Sequence, residues 1–156
     1  MPRKGPAPRR PITLDAKYGD HKVSVVVNKV MLDGKKATAE SIVYDAMDIA
    51  AKKTGNDALV SLHNALEAIR PLVEVKSRRV GGATYQVPTQ ISERRQHSLA
   101  VRWLIEFARK RSEHTMAERL GNEMAEAVAE RGGAFKKRDE THRMAEANKA
   151  FSHFSW

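Results

Sequence analysis

Apolar residues recur at helical spacing through most of this chain. Ala39, Ile42, Val43, Ala46, Met47, Ile49 and Ala50 follow an Asp33-Gly34 turn and stop at Gly55, which predicts one long helix. Leu59, Leu62, Leu66 and Ile69 predict a second, with Asn56 as its cap and Pro71 as its stop. A third begins at Ser92, carries Leu99, Trp103 and Phe107 in line with Leu104 and Ala108 beside them, and runs to about Arg111. Thr115 with Glu118 has the spacing of a capping box. It opens a helix marked by Met116, Leu120, Met124 and Val128, which Gly132-Gly133 should end. The final segment AFKKRDETHRMAEANKAF is amphipathic, with Phe135, Met144, Ala145 and Phe151 as anchors on a surface helix. The run HKVSVVVNKV from His21 fits either a strand or a helix entry, and the helical stretch after it favours a short helix.

One stretch breaks the helical period. In VEVKSRRVGGATYQVP, two β-rich runs flank Gly81-Gly82, a pair suited to the positive φ angles of a tight hairpin turn. With those glycines as the loop, Val80 faces Ala83, Arg78 faces Tyr85 and Lys76 faces Val87. Neither face is a continuous apolar stripe, so the ribbon should project, its tip about 25 Å from its base at about 3.3 Å per residue. An ordinary edge hairpin guarded by Lys and Arg is the plainer alternative. The fold expected is mainly α: six helices, one projecting hairpin (72–90) inserted between the third and fourth, and a basic arm. Residues 1–11 form the arm and 12–156 a single domain.

Charge changes the picture more than length does. The 156 residues carry 28 Lys and Arg against 19 Asp and Glu, a net charge of +9, as a nucleic-acid binder does. The arm holds Arg3, Lys4, Arg9 and Arg10 among four prolines and no acid, a composition that cannot pack alone; a solubilising tail is its bland reading. No apolar run approaches the roughly eighteen residues of a membrane span and no secretory segment begins the chain, so a cytoplasmic protein is expected. With no cysteine, disulfides, thiol catalysis and zinc ribbons are excluded.

Catalytic signals are sparse. None of the six histidines pairs with another at metal-binding spacing, and P-loop, dinucleotide and nucleophile-elbow motifs are absent, so no metal, cofactor or catalytic residue is assigned. His63 fits a partly buried, hydrogen-bonded imidazole and His142 a solvated charged face. A small RNA-acting enzyme using Glu93 and His97, which share a helix face, is the rival from another class. The basic clusters carry more: Lys35-Lys36, Lys76 with Arg78 and Arg79, Arg94-Arg95, and Lys136-Lys137-Arg138 suit one phosphate-binding surface. Arg94 and Arg95 occupy a first helical turn that favours acids, which invites a phosphate there. Duplex DNA is an open partner, yet a ribbon and a mobile arm suit irregular RNA better. Tyr85 is placed either to stack on a base or to pack at the ribbon's foot.

Three ordered blocks, VNKVMLDGKKATAESIVYDA, NALEAIRPLVEVKSRRVGGATYQVP and KKRDETHRMAEANKAF, resemble the bacterial form of small ribosomal subunit protein seven over essentially the whole chain. The resemblance implies a structural protein that binds the 3′ major domain of 16S ribosomal RNA and organises assembly of the head. It also implies a place beside the exit-site transfer RNA and the messenger path, contact with neighbouring head and platform proteins, and repression of its own message. By position, Arg3, Lys4, Arg9, Arg10, Lys35, Lys36, Lys76, Arg78, Arg79, Arg94 and Arg95 would grip ribosomal RNA. Val80, Gly81, Gly82, Ala83, Thr84 and Tyr85 of the ribbon, with Lys136, Lys137, Arg138 and Arg143, would approach transfer RNA and the platform neighbour. No membrane and no second copy is expected as partner, and a free RNA-binding translational regulator is the alternative. The chain departs from the family pattern at Gln90 and Ser155.

Overall fold

The computed structural model describes residues 3–8 and 10–154; Arg9 of the arm set and Ser155 lie outside them. Six α-helices and a hairpin follow in order: α1 (His21–Val30), α2 (Lys36–Thr54), α3 (Ala58–Ile69), β1 (Val73–Val80), β2 (Ala83–Gln90), α4 (Glu93–Arg109), α5 (Met116–Val128) and α6 (Gly132–Ala147). A 3-10 helix, Lys149–Phe154, completes the described chain. The ambiguous run at His21 is helical, and Asp20 decides it. Its carboxylate accepts the N–H groups of Lys22 at 2.7 Å and Val23 at 3.1 Å, satisfying donors that a helix start leaves without partners.

The core lies where α2, α3, α4 and α5 face one another. Leu62, Leu66, Met47, Leu104, Leu120 and Met124 are fully buried there, each contributing about 1.5–3 kcal/mol by leaving water. The α2–α5 crossing is close because Gly121 has no side chain: a Cβ there would lie 2.8 Å from the Ala46 carbonyl and from Ile49. Thr115 and Glu118 form the expected capping box, both bonds at 3.2 Å.

Several local expectations need correction. Asp57, not Asn56, caps α3, accepting the Leu59 N–H at 3.2 Å. Ser92 stands at the cap position of α4 without a side-chain bond to the helix, and α4 stops at Arg109, which leaves Arg111 in the following turn. The buried stripe of α4 runs through Leu99, Ala100, Val101, Leu104, Ile105 and Ala108, while Trp103 and Phe107 are half-buried at its flank. Gly132-Gly133 opens α6 instead of ending α5, because Glu130, at φ 56°, turns the chain first and the Arg131 N–H bonds back to the Glu126 carbonyl at 2.8 Å. Met144 is 40 % exposed and does not anchor α6; Ala134, Thr141 and Ala145 do.

The hairpin has the predicted register, Val80 opposite Ala83, Arg78 opposite Tyr85 and Lys76 opposite Val87. Gly81 and Gly82, at φ 58° and 89°, make the turn. The ribbon is better packed than its sequence alone implies. Val87 is fully buried, and Tyr85 lies under Phe151 and Phe154 with ring centroids 5.1 and 5.2 Å away. The 3-10 helix thus covers a face that lacks an apolar stripe of its own. The tip remains open, with Arg79, Gly81, Gly82, Ala83 and Thr84 exposed.

Candidate nucleic-acid interface

α1 and α4 lie side by side and leave a cavity of about 660 Å³ between them. Lys22 and Lys29 of α1 and Arg94 and Arg102 of α4 line it together with His21 and His97, and no carboxylate does. Arg94, Ser98 and Arg102 step by four, so helical geometry sets them on one face. Lys22 and Lys29, seven apart, share a face of α1 in the same way. Lys22 is tied to Glu67 at 3.7 Å, whereas Lys29, Arg94 and Arg102 make no ion pair among the described residues. Of this set the adjacency of basic residues singles out only Arg94; the spacing of eight that puts Arg102 on the same helical face as Arg94 is the signal that finds it.

Other candidates are held differently. Glu74, whose side chain is 13 % exposed, bridges Lys76 and Arg95, each at 3.0 Å. Burial alone would raise its carboxyl; the bonds from Arg95 and Lys76 outweigh that and hold it below the ordinary carboxylate range. Arg95 is therefore answered by Glu74 across the ribbon root, and only Arg94 keeps the character expected of both. Lys36 pairs with Glu40 at 3.5 Å beside exposed Lys35, and Lys36 and Arg10 border a second cavity. Arg3 and Lys4 are exposed on the arm, whose root is fixed by Asp15. That buried carboxylate accepts the Lys17 and Tyr18 N–H groups at 3.0 and 2.9 Å and the Tyr44 hydroxyl at 2.7 Å, pushing the Tyr44 phenol up to about 12.

On α6, Lys136 is exposed and Lys137 pairs with Glu140 at 3.1 Å. Arg138 points inward: it donates to the Ala68 carbonyl at 2.8 Å and stacks 4.2 Å from the Phe135 ring centre. Arg143 reaches Asp139 at 2.8 Å while remaining 81 % exposed. His142 is not a solvated charge. Its Nε2 accepts the Leu72 N–H at 3.0 Å, pinning the ribbon root to α6, and burial together with Arg138 lowers its pKa. His63 meets expectation, paired with Asp20 at 3.0 Å. Tyr85 packs under Phe151 and Phe154, but in the third pair from the turn and not at the ribbon's foot.

The largest charged cluster escaped sequence reading. Arg111 holds Glu113 at 2.8 Å, Glu123 at 2.9 Å and Glu126 at 2.8 Å, while the 1 % exposed Glu123 also accepts the Ala134 N–H at 2.8 Å. Arg111, with Asn122, holds Glu113 down at about 2. No helical spacing announces this cluster, because Arg111 and Glu113 stand in the turn after α4 and meet Glu123 and Glu126 only when α5 folds back beside it.

Glu93 and His97 do share a face, 3.7 Å apart, but Glu93 is 79 % exposed and does not line the cavity that His97 borders. Among the described residues no group of three or more His, Asp or Glu could hold a metal, and no helix is long and apolar enough to cross a membrane. The fold and this surface define a class: a small basic helical protein that presents an acid-free cationic groove and an exposed ribbon tip, as nucleic-acid-binding scaffolds do. Residues 2–149 match the family model described as ribosomal protein S7p/S5e. The chain is 56% identical over 156 residues to small ribosomal subunit protein uS7 of Rhodococcus opacus (strain B4), covering all of both chains. It is 60% identical over 156 residues to the uS7 protein of Dichelobacter nodosus (strain VCS1703A), again covering both fully. The chain belongs to the ribosomal protein S7p/S5e family.

Proposed function

We propose that this protein scaffolds the head of the small ribosomal subunit by binding the 3′ major domain of 16S ribosomal RNA. As a member of its family it is a structural constituent of the small ribosomal subunit, cytoplasmic and not an enzyme. Ribosomal RNA and neighbouring ribosomal proteins are its partners. The single observation that carries the RNA reading is the groove between α1 and α4, which no carboxylate lines and where Lys29, Arg94 and Arg102 stand without an ion pair among the described residues. Phosphates there would displace condensed counterions, which makes affinity steeply salt-dependent. The ribbon tip, with Arg79 and Gly81 to Thr84 exposed, and the outer face of α6, with Lys136 and Arg143, are the parts free to approach exit-site transfer RNA, the messenger path and a platform neighbour. Repression of its own message would use the same groove on a messenger that imitates the ribosomal site.

The test is binding of the purified protein to a 3′ major domain RNA fragment, to transfer RNA and to duplex DNA across a salt series. A preference for the fragment of about a hundredfold or more that survives rising salt is expected. Equal, steeply salt-dependent binding to all three would reduce the protein to a general polyanion binder.

A further inference from the structure

The groove between α1 and α4 is not charged throughout. Its floor is aliphatic: Leu66 is 1 % and Val101 4 % exposed, with Val25 and Ile12 beside them. Phosphates need the cationic rim and gain nothing from such a floor. An intact RNA duplex turns phosphates and ribose outward and keeps its base faces stacked inside, so it would leave the floor empty. Apolar floor and acid-free cationic rim together match an amphipathic anion, one with a flat apolar part and a phosphate on either side. The volume of about 660 Å³ lies within the roughly 300–1,000 Å³ of small-ligand sites. Asn28 and Ser98 at the edge supply the few polar groups that read such a ligand's rim.

We propose that this cavity receives one extruded nucleobase of the bound RNA. The base lies on Val25 and Ile12, over the buried Leu66 and Val101, and its flanking phosphates rest on Lys29, Arg94 and Arg102. This rests on the RNA-binding reading above and adds to it that one nucleotide is recognised out of its stack, so the site selects a bulge or loop over a continuous helix. Asn28, whose amide both donates and accepts, is the residue placed to read the base edge.

The full-length chain, isotope-labelled, is titrated with adenosine monophosphate and separately with inorganic phosphate at matched ionic strength, following methyl and amide resonances. The nucleotide is expected to move the Val25, Leu66 and Val101 methyls saturably, and phosphate only the surroundings of Arg94 and Arg102. Ser98→Phe, at an exposed position on the cavity's edge, should weaken the nucleotide by about tenfold or more while sparing the phosphate response. Asn28→Ala, also exposed, should weaken it less and again spare phosphate. If phosphate reproduces the whole response, or if the nucleotide leaves the three methyls unmoved, the inference is overturned. A protein that selects the 3′ major domain fragment yet rejects the nucleotide would sink this inference alone. Nucleotide entry in a protein that fails to select the fragment would sink the ribosomal-RNA reading instead.

Discussion

The two ends of α4 carry arginines in opposite surroundings. Just beyond its C-terminal end, Arg111 is enclosed by Glu113, Glu123 and Glu126, all within 2.9 Å. At its N-terminal end Arg94, and two turns on Arg102, face a cavity that no carboxylate lines. The first arrangement suits the negative end of the helix dipole; the second opposes the positive end. A cation answered from within the fold holds elements together, and a cation left unanswered against its own helix is held for something outside. A count of basic residues cannot make that distinction, since Arg94, Arg102 and Arg111 each add one positive charge.

The sharpest way to break the comparison is Arg111→Ala. It strands three carboxylates, one of them buried, and should cost about 3–5 kcal/mol in urea or thermal denaturation; a loss below about 1 kcal/mol would mean the cluster is not structural. At the other end, Arg94→Ala with Arg102→Ala should leave unfolding within about 0.5 kcal/mol of the parent. The same pair should lower RNA affinity and reduce the slope of log affinity against log salt by roughly one per charge removed. An unchanged slope would show that these two arginines meet no phosphate. The smallest effect concerns a third kind of charge, the neutral His142. Its pKa is lowered from 6.5, so its contribution is present above that value and is lost as pH falls through the depressed folded value. Exchange of the Leu72 amide, corrected for its intrinsic pH dependence, should quicken as pH falls below 6.5 and through the depressed folded value. His142→Gln, whose amide carbonyl accepts at any pH, should flatten that response; a profile the same in both proteins would place the proton elsewhere.

How much of this the sequence carried depends on the range of each interaction. The hairpin register was legible because Gly81-Gly82 fixes it locally, and the capping box because Thr115 and Glu118 are three residues apart. Asp57 won over Asn56 as cap of α3 by a shift of one residue, within which both side chains suit the role. The identity of the interface residues was half legible. Adjacent cations such as Lys76 and Arg95 looked alike with Arg94 until Glu74 was seen to answer two of the three. Arg138 read as surface charge because nothing in its own helix reveals the Ala68 carbonyl it donates to. The aromatic cover over Tyr85 joins residues from distant parts of the chain, and the Arg111 cluster, though it spans only residues 111 to 126, forms through a turn that no helical period encodes.

That aromatic cover sets an order of events. The ribbon leaves the site of synthesis well before Phe151 and Phe154 exist, by on the order of seconds at usual elongation rates. Until they arrive, Tyr85 has no ring to lie against and the outer half of the hairpin is a bare two-stranded ribbon, marginal in water. The helical core can close first; the arm that reaches outward is finished only by the last turn of the chain, so a newborn copy holds its shape before it acquires its grip.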